Sequence, residues 1–472
     1  MKMHIAGKWV EKDQRTEVVN PFDGRPFDTV PRGDAADVEA ALQSAGRGAR
    51  AMGALSGHER HRLLIRAAAL LGERADDMAR TISREEGKIL SEARGEVGRA
   101  VETLTASAEE AKRISGETVP VDAAPGVRRK LAFTLRVPCG VVAAVTPFNF
   151  PLNLVAHKLG PALAGGNAVV LKPASDTPLS ALKLVEILLE AGAPPEALQC
   201  VTGPGGTVGG ALVADPRVRK VTFTGSREVG ESICRRAGLK RVTMELGSNA
   251  PLVALEDADL EEVASAIARS GFSNAGQSCI SAQRIFVARG HYQDLLAALA
   301  VKVRVLRAGD PLAEGTAVGP MVREREAVRV QQWISEATAA GARVLAGGER
   351  QGALHAPTLV ADVRPEMRLC EDELFGPAVG VAPFSGLDEA IALCNRSRYG
   401  LSASIFTRDL DAAMRFLHEV EAGNLHVNEG PAWRADLMPY GGLKESGFGK
   451  EGPRYAVEEM TELKLAVIHL RG

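Results

Sequence analysis

The sequence has no surplus of charge of either sign: 57 lysines and arginines face 59 aspartates and glutamates. The basic excess that usually marks a nucleic-acid binder is therefore missing. Its six cysteines, at 139, 200, 234, 279, 370 and 394, lie far apart and form no Cys-x-x-Cys. That spacing excludes a disulfide framework and a zinc ribbon, and no metal-ligand set is expected. Residues 1–14 contain no apolar stretch of signal-peptide type. The nearest approach to a membrane span, residues 139–156, is interrupted by Pro147, Asn149, Pro151 and Asn153. Broken in this way it reads as buried strand, turn and helix start. Repeats and low-complexity linkers are absent as well. These absences leave a cytoplasmic protein with free thiols and without nucleic-acid or membrane partners.

What is present is an ordinary globular composition, 45% hydrophobic and 25% charged over 472 residues. That length allows about three domains and a large core. From 137 to 245, short β-branched runs alternate with amphipathic segments. Residues 141–145, 168–171, 218–223 and 241–244 read as strands, and 226–237 as a helix. Residues 179–190 carry apolar side chains at 179, 182, 185, 188 and 189, a helical period. Pro151 suits a first helical turn. Strands alternating with helices imply a parallel α/β sheet covered on both faces. A second α/β stretch runs from 251 to about 430, with strands at 251–255 and 284–287 around a helix at 260–270. The N-terminal third is mostly helical, as in 60–79 and 92–114, and 463–470 is apolar and strand-like.

Gly447-Phe448-Gly449-Lys450-Glu451-Gly452 matches the dinucleotide fingerprint G-x-G-x-x-G. It follows a loop where the fingerprint needs a strand, and is discounted. Four other positions carry more. Cys279 follows a glycine turn, Gly276-Gln277-Ser278-Cys279, and alone would read as an inert buried thiol. Glu245 and Asn149 each leave a strand, where α/β folds place catalytic groups. Alone they would be a solvated carboxylate and a turn residue. Lys172 follows a further strand and by default is exposed. Together, a strand-end amide, a strand-end carboxylate and a cysteine 34 residues beyond it supply oxyanion donor, general base and nucleophile.

With these motifs in this order, the chain resembles the aldehyde dehydrogenase superfamily over nearly its whole length. The resemblance rests on Thr146-Pro147-Phe148-Asn149-Phe150-Pro151, Lys172-Pro173, Phe223-Thr224-Gly225-Ser226 and Glu245-Leu246-Gly247. It continues through Gly276-Gln277-Ser278-Cys279, Glu373-Leu374-Phe375-Gly376-Pro377 and Ser446-Gly447-Phe448-Gly449. It implies an α/β fold with a Rossmann-like cofactor domain (1–115 and 137–245) and an α/β catalytic domain (246–450). A small β oligomerisation element (116–136 and 455–472) would join homodimers or homotetramers. Cys279 would attack the aldehyde carbonyl, with the oxyanion held by the Asn149 amide and the Cys279 N–H. Hydride would pass to the nicotinamide, and Glu245 would activate water to hydrolyse the thioester. NAD or NADP would lie on Lys172 at the adenosine ribose and on Gly225, Ser226 and Gly230 at the pyrophosphate. Glu373 would hold the nicotinamide ribose, with Phe375 beside it. Ser175 stands where many members have a glutamate that repels a 2′-phosphate, which admits NADP. Ser248 replaces a common glycine.

Residues 427–442 resemble the branch containing lactaldehyde, non-phosphorylating glyceraldehyde-phosphate, sulfoacetaldehyde and phosphonoacetaldehyde dehydrogenases. There Arg434 would face the far end of the substrate, where a guanidinium suits a phosphonate, sulfonate or carboxylate. Ser278 occupies the place where phosphate users often carry arginine. Arg94 or Arg99 could add a second cation, and Arg284 reads as structural. The expectation is NAD(P)-dependent oxidation of a short polar or anionic aldehyde to its acid. A generalist small-aldehyde dehydrogenase is the alternative. A CoA-acylating enzyme is disfavoured by Glu245, and an inactive relative by the intact Cys279, Asn149 and Glu245.

Overall fold

Residues 1–471 are described by the computed structural model. The β-branched runs of the first half form an eight-stranded sheet. Its parallel centre runs Leu198–Cys200, Ala168–Lys172, Val141–Val145, Val218–Thr224 and Arg241–Glu245. Val141–Val145 and Ala168–Lys172 are buried at every position, as strands covered on both faces must be. Antiparallel strands close both edges: Met3–Ile5 beside Leu198–Cys200, and Gly447–Phe448 beside Arg241–Glu245. The discounted glycine motif is therefore an edge strand that pairs Gly447 with Glu245.

A second sheet of seven strands is parallel except at one edge, where Arg343–Ala346 runs against Thr358–Ala361. It contains Pro251–Ala254 and Arg284–Ala288 and ends on Asn424–Val427. Each sheet packs its own cluster of buried apolar side chains. A three-stranded antiparallel sheet stands apart, formed by Thr118–Val119, Lys130–Pro138 and Thr461–His469. Leu131, Leu135, Leu463, Leu465, Val467 and Ile468 on it are exposed.

Two expectations shift. The single helix read at 60–79 is two helices, Gly57–Glu73 and Ala75–Glu86, with non-helical Arg74 between them. Its start was legible: Ser56 and Glu59 form a reciprocal capping box. The helix after Pro151 begins only at Asn153. Its first N–H groups, on Leu152 and Asn153, donate to the Glu96 carboxylate at 2.9 and 3.1 Å. The cap comes from another helix, Leu90–Ala111, so no local pattern could reveal it.

Glu96 also forms a sealed ion pair with Lys88, neither side chain exposed by more than 1%. The Lys88 ammonium donates to the Asn149 carbonyl at 2.8 Å and lies 3.9 Å from the centre of the Phe150 ring. One buried pair thus fixes the loop leaving Val141–Val145 against the helical layer. Lys88→Met would strand the Glu96 carboxylate, a loss of about 3–5 kcal/mol for a buried pair. We expect a melting temperature lower by several degrees in calorimetry, partly recovered when Glu96→Gln is added.

Candidate active site

Four loops leave the carboxyl ends of adjacent parallel strands, the edge at which open α/β sheets bind ligands. They carry Asn149, Lys172, Gly225 and Glu245. The loop bearing Cys279 reaches the same place from the second sheet's side. Asn274, Ala275 and Gly276 take left-handed backbone angles, φ +51, +53 and +67°. A β-carbon on Gly276 would lie 2.0 Å from the Gly376 carbonyl oxygen, so only glycine fits. The Ser273 hydroxyl and the Asn274 N–H donate to Glu92, anchoring the turn.

The Asn149 amide donates to the Gln277 carbonyl at 2.9 Å, joining its loop to that of Cys279. Asn274 donates to the Asn149 carbonyl from the other side. An amide nitrogen has two hydrogens, so one donor remains for a developing oxyanion. Cys279 is half-buried, with its Sγ 3.1 Å from the Tyr440 hydroxyl. Burial, with Glu373 and Glu245 adding to it, pushes the thiol up to about 12; Tyr440 and Arg434 act the other way.

Glu245 ends its strand 3% exposed. Among the described residues neither of its carboxylate oxygens has a hydrogen-bond partner. Burial, reinforced by the Glu451 charge, raises it well above the usual carboxylate range. A β-carbon on Gly441 would stand 2.9 Å from Glu245 Oε1, so this glycine leaves the carboxylate its room. The arrangement offers a thiol, an amide donor and a carboxyl held near its proton, which is the equipment for acyl transfer to water.

The cofactor positions gather along the same sheet edge. Lys172 is buried, its ammonium bonded only to the Pro173 carbonyl, and burial depresses it to about 8. An under-used cation at a strand end suits ribose hydroxyls. Ser226 caps the helix Arg227–Ala237 by accepting from Val229, and Gly230 packs against Leu246 where a β-carbon would clash. Glu373 accepts from the Ser248 N–H at 2.8 Å and lies against Gly247; burial raises it to about 7. Phe375, at φ +49°, meets Phe148 edge-to-face at 5.8 Å. Ser175 donates to Gly203 and lines a cavity of about 280 Å³ with Arg32, Thr202 and Pro204. The donors, the glycines and the cavity fit a dinucleotide.

Arg434 is where the structure adds most. It stacks over the Tyr440 ring at 3.8 Å and is 6% exposed. Its Nη2 contacts Glu451 and the His157 ring, both at 3.1 Å, while its Nε has no partner among the described residues. Glu451 also accepts from Lys158, and Asp436 from Arg99 and Asn153, with His157 Nε2 2.9 Å from Asp436. Burial and Arg434 hold His157 below its ordinary value. The other candidate cations lie elsewhere: Arg94 pairs with Asp76 on the surface, and Arg284 donates to backbone carbonyls. Sequence reasoning missed Tyr440, Glu451, His157, Lys158, Lys88 and Glu96. Only charged residues inside apolar helical patterns could have hinted at some of them.

A family profile described as "Aldehyde dehydrogenase family" matches residues 9–466. The 3-sulfolactaldehyde dehydrogenase of Priestia aryabhattai is 48% identical over 99% of this chain and 98% of its own length. The NADP-dependent succinate-semialdehyde dehydrogenase GabD of Escherichia coli is 38% identical over 99% and 97%. Among solved structures, aldehyde dehydrogenase 21 of Physcomitrella patens in complex with its reaction product succinate superposes with TM-score 0.96. It shares 38% identity over 99% of this chain and 98% of that one.

An unpartnered buried carboxylate carries a stability signature. Because Glu245 is raised in the folded state, its ionisation opposes folding, and the cost grows as pH rises above the unfolded value near 4.3. Glu245→Gln removes that cost. We expect the variant to melt about 2 °C higher than the parent at pH 8, with the gap closing towards pH 5.

Proposed function

Because the chain belongs to the aldehyde dehydrogenase family, as an NAD(P)-dependent oxidoreductase acting on aldehydes, we propose that it oxidises a short aldehyde bearing a sulfonate or carboxylate at its far end. The observation that carries this reading is the Arg434 guanidinium, stacked on the tyrosine that touches Cys279 and left with an unmatched buried N–H. The surrounding charges support it. Arg434, Lys158 and Arg99 pair with the carboxylates of Glu451 and Asp436, while burial pushes His157 towards its neutral form and Glu245 towards its proton. Three cations thus meet two paired carboxylates, in a setting where an anion would be bound without a bulk-water shield. Both named relatives act on aldehydes of this kind, and the moss structure holds succinate.

In this reading the Cys279 thiolate attacks the carbonyl carbon, and the free Asn149 amide hydrogen and the Cys279 N–H stabilise the oxyanion. The nicotinamide, when bound, accepts the hydride. Glu245 then takes a proton from the water that attacks the Cys279 thioester, releasing the acid and the thiol. Lys172, Gly225, Ser226, Gly230, Glu373 and Phe375 hold the dinucleotide. The cavity that Ser175 lines includes Arg32 and, among the described residues, no carboxylate, which favours acceptance of NADP as well as NAD.

Residues 1–115 with 137–245, and 246–450, serve as cofactor and catalytic domains. Segments 116–136 and 455–472 join subunits through the exposed apolar face of the three-stranded sheet. No described helix is long and apolar enough to cross a membrane, and the six free thiols suit a reducing cytoplasm.

Cofactor reduction is the direct test, with 3-sulfolactaldehyde, succinic semialdehyde and propanal, NAD and NADP separately, and Cys279→Ser as control. We expect Cys279→Ser to lose at least 10³-fold. Arg434→Met should raise KM for the two anionic aldehydes at least 10-fold more than for propanal. Equal effects on all three would make the enzyme a generalist. In sedimentation at micromolar concentration we expect a dimer or tetramer, reduced to monomer by Leu465→Lys with Val467→Lys; a monomeric parent would sink the assembly reading.

A further inference from the structure

Tyr440 is one of only four tyrosines in the chain, and its position is tightly fixed. Its N–H donates to the Glu451 carbonyl at 3.2 Å and its carbonyl accepts from the Glu451 N–H at 2.7 Å. These reciprocal bonds set two neighbouring side chains, the Tyr440 ring and the Glu451 carboxylate, and Arg434 contacts both. Tyr440 is 3% exposed, and among the described residues its hydroxyl has a single hydrogen-bond partner, the Cys279 sulfur at 3.1 Å. Ile280 and Leu401 complete a small apolar cluster around the pair.

A buried phenol normally finds a strong partner, and a neutral thiol is a poor one. The same hydrogen bond becomes charge-assisted when sulfur carries a negative charge, because a thiolate can only accept. A guanidinium over the ring face draws electron density from the phenol and makes its O–H a better donor. From this geometry we infer that Tyr440 is a positioning residue which, against the burial that favours the thiol, lowers the cost of forming the reactive Cys279 thiolate, with Arg434 strengthening the donor from behind. The idea rests on reading Cys279 as the nucleophile.

The charged and titratable groups bearing on the thiol come from several elements. Glu373 and Glu245 oppose ionisation, while Tyr440 and Arg434 favour it. Glu245 and Cys279 also bear on Tyr440 itself. The two carboxyls belong to the hydrolytic and cofactor machinery already described, so the favourable side rests on this tyrosine and this arginine. The proton leaving sulfur goes to solvent, and the phenol keeps its own.

Alkylation by iodoacetamide without substrate or cofactor reads the thiolate directly: a sulfur–carbon bond forms and iodide leaves. The rate would be followed between pH 6 and 10, below the thiol's midpoint, where it tracks the thiolate fraction, with the Cys279 peptide identified by mass spectrometry. We expect Tyr440→Phe to slow labelling of Cys279 about 10-fold across that range, the effect of moving the midpoint up by about one pH unit. Arg434→Met should shift it in the same direction by less. Replacing tyrosine with 3-fluorotyrosine, a more acidic phenol, should move the midpoint down, and this arm stands if the phenylalanine variant fails to fold. Unchanged profiles in Tyr440→Phe and in the fluorinated protein would overturn the proposal. Retained aldehyde oxidation by Cys279→Ser would instead overturn the nucleophile reading, and would leave the alkylation result to stand by itself.

Discussion

The fold closes over charge, and most of the rest follows from how that charge is neutralised. Lys88 and Glu96 are sealed from water as a pair, and their spare hydrogen-bonding capacity holds the Asn149 loop and the start of the helix Asn153–Ala164. A buried ion pair is a weak source of net stability, because desolvation offsets most of the attraction. Its value is geometric. A pair that cannot be broken without isolating a charge tolerates only one arrangement of the backbone around it, and that backbone delivers the amide to the thiol.

The same economy shapes the far side of the site. Lys158 and Arg434 converge on Glu451, whose carboxyl burial alone would raise, yet the cations hold it well below the usual range. Glu245, nearby, receives no hydrogen bond and is driven the opposite way. Two glutamates in one region are thus pushed in opposite directions, Glu451 towards its charged form by two cations and Glu245 towards its proton by burial. Separation of that kind, set by partners and burial, is how a site assigns acid–base roles to identical side chains.

The sheets and the strand-end residues were legible because both rest on local pattern. The strand at 141–145 and the helix at 179–190 fall where the sequence places them. Asn149, Lys172 and Glu245 were found because their motifs follow strands. The surrounding network was not legible, for a physical reason. In Asn153–Ala164 every residue is buried, His157 and Lys158 included, so there is no polar face against which to recognise an inward charge. Arg434 was read as a free cation facing substrate. The structure shows it clasped by Glu451, His157 and the Tyr440 ring, with its buried Nε–H unpaired among the described residues, which no spacing in residues 427–442 encodes.

The distances in sequence between these ion-pair partners impose an order on biosynthesis. Arg99 meets Asp436 across 337 residues, Lys158 meets Glu451 across 293, and Lys220 meets Glu459 across 239. In each case the cation comes first and the acid lies in the last 37 positions of the 472-residue chain. At roughly 5–20 residues per second, Lys220, in the first sheet, waits at least about 12 s on the ribosome for its counter-ion. Until then Lys158 and Lys220 have, among the described residues, only threonine hydroxyls of the first half as partners. The segment that carries Arg434 and Tyr440 beside Cys279 is thus also the one that brings the first half its counter-ions.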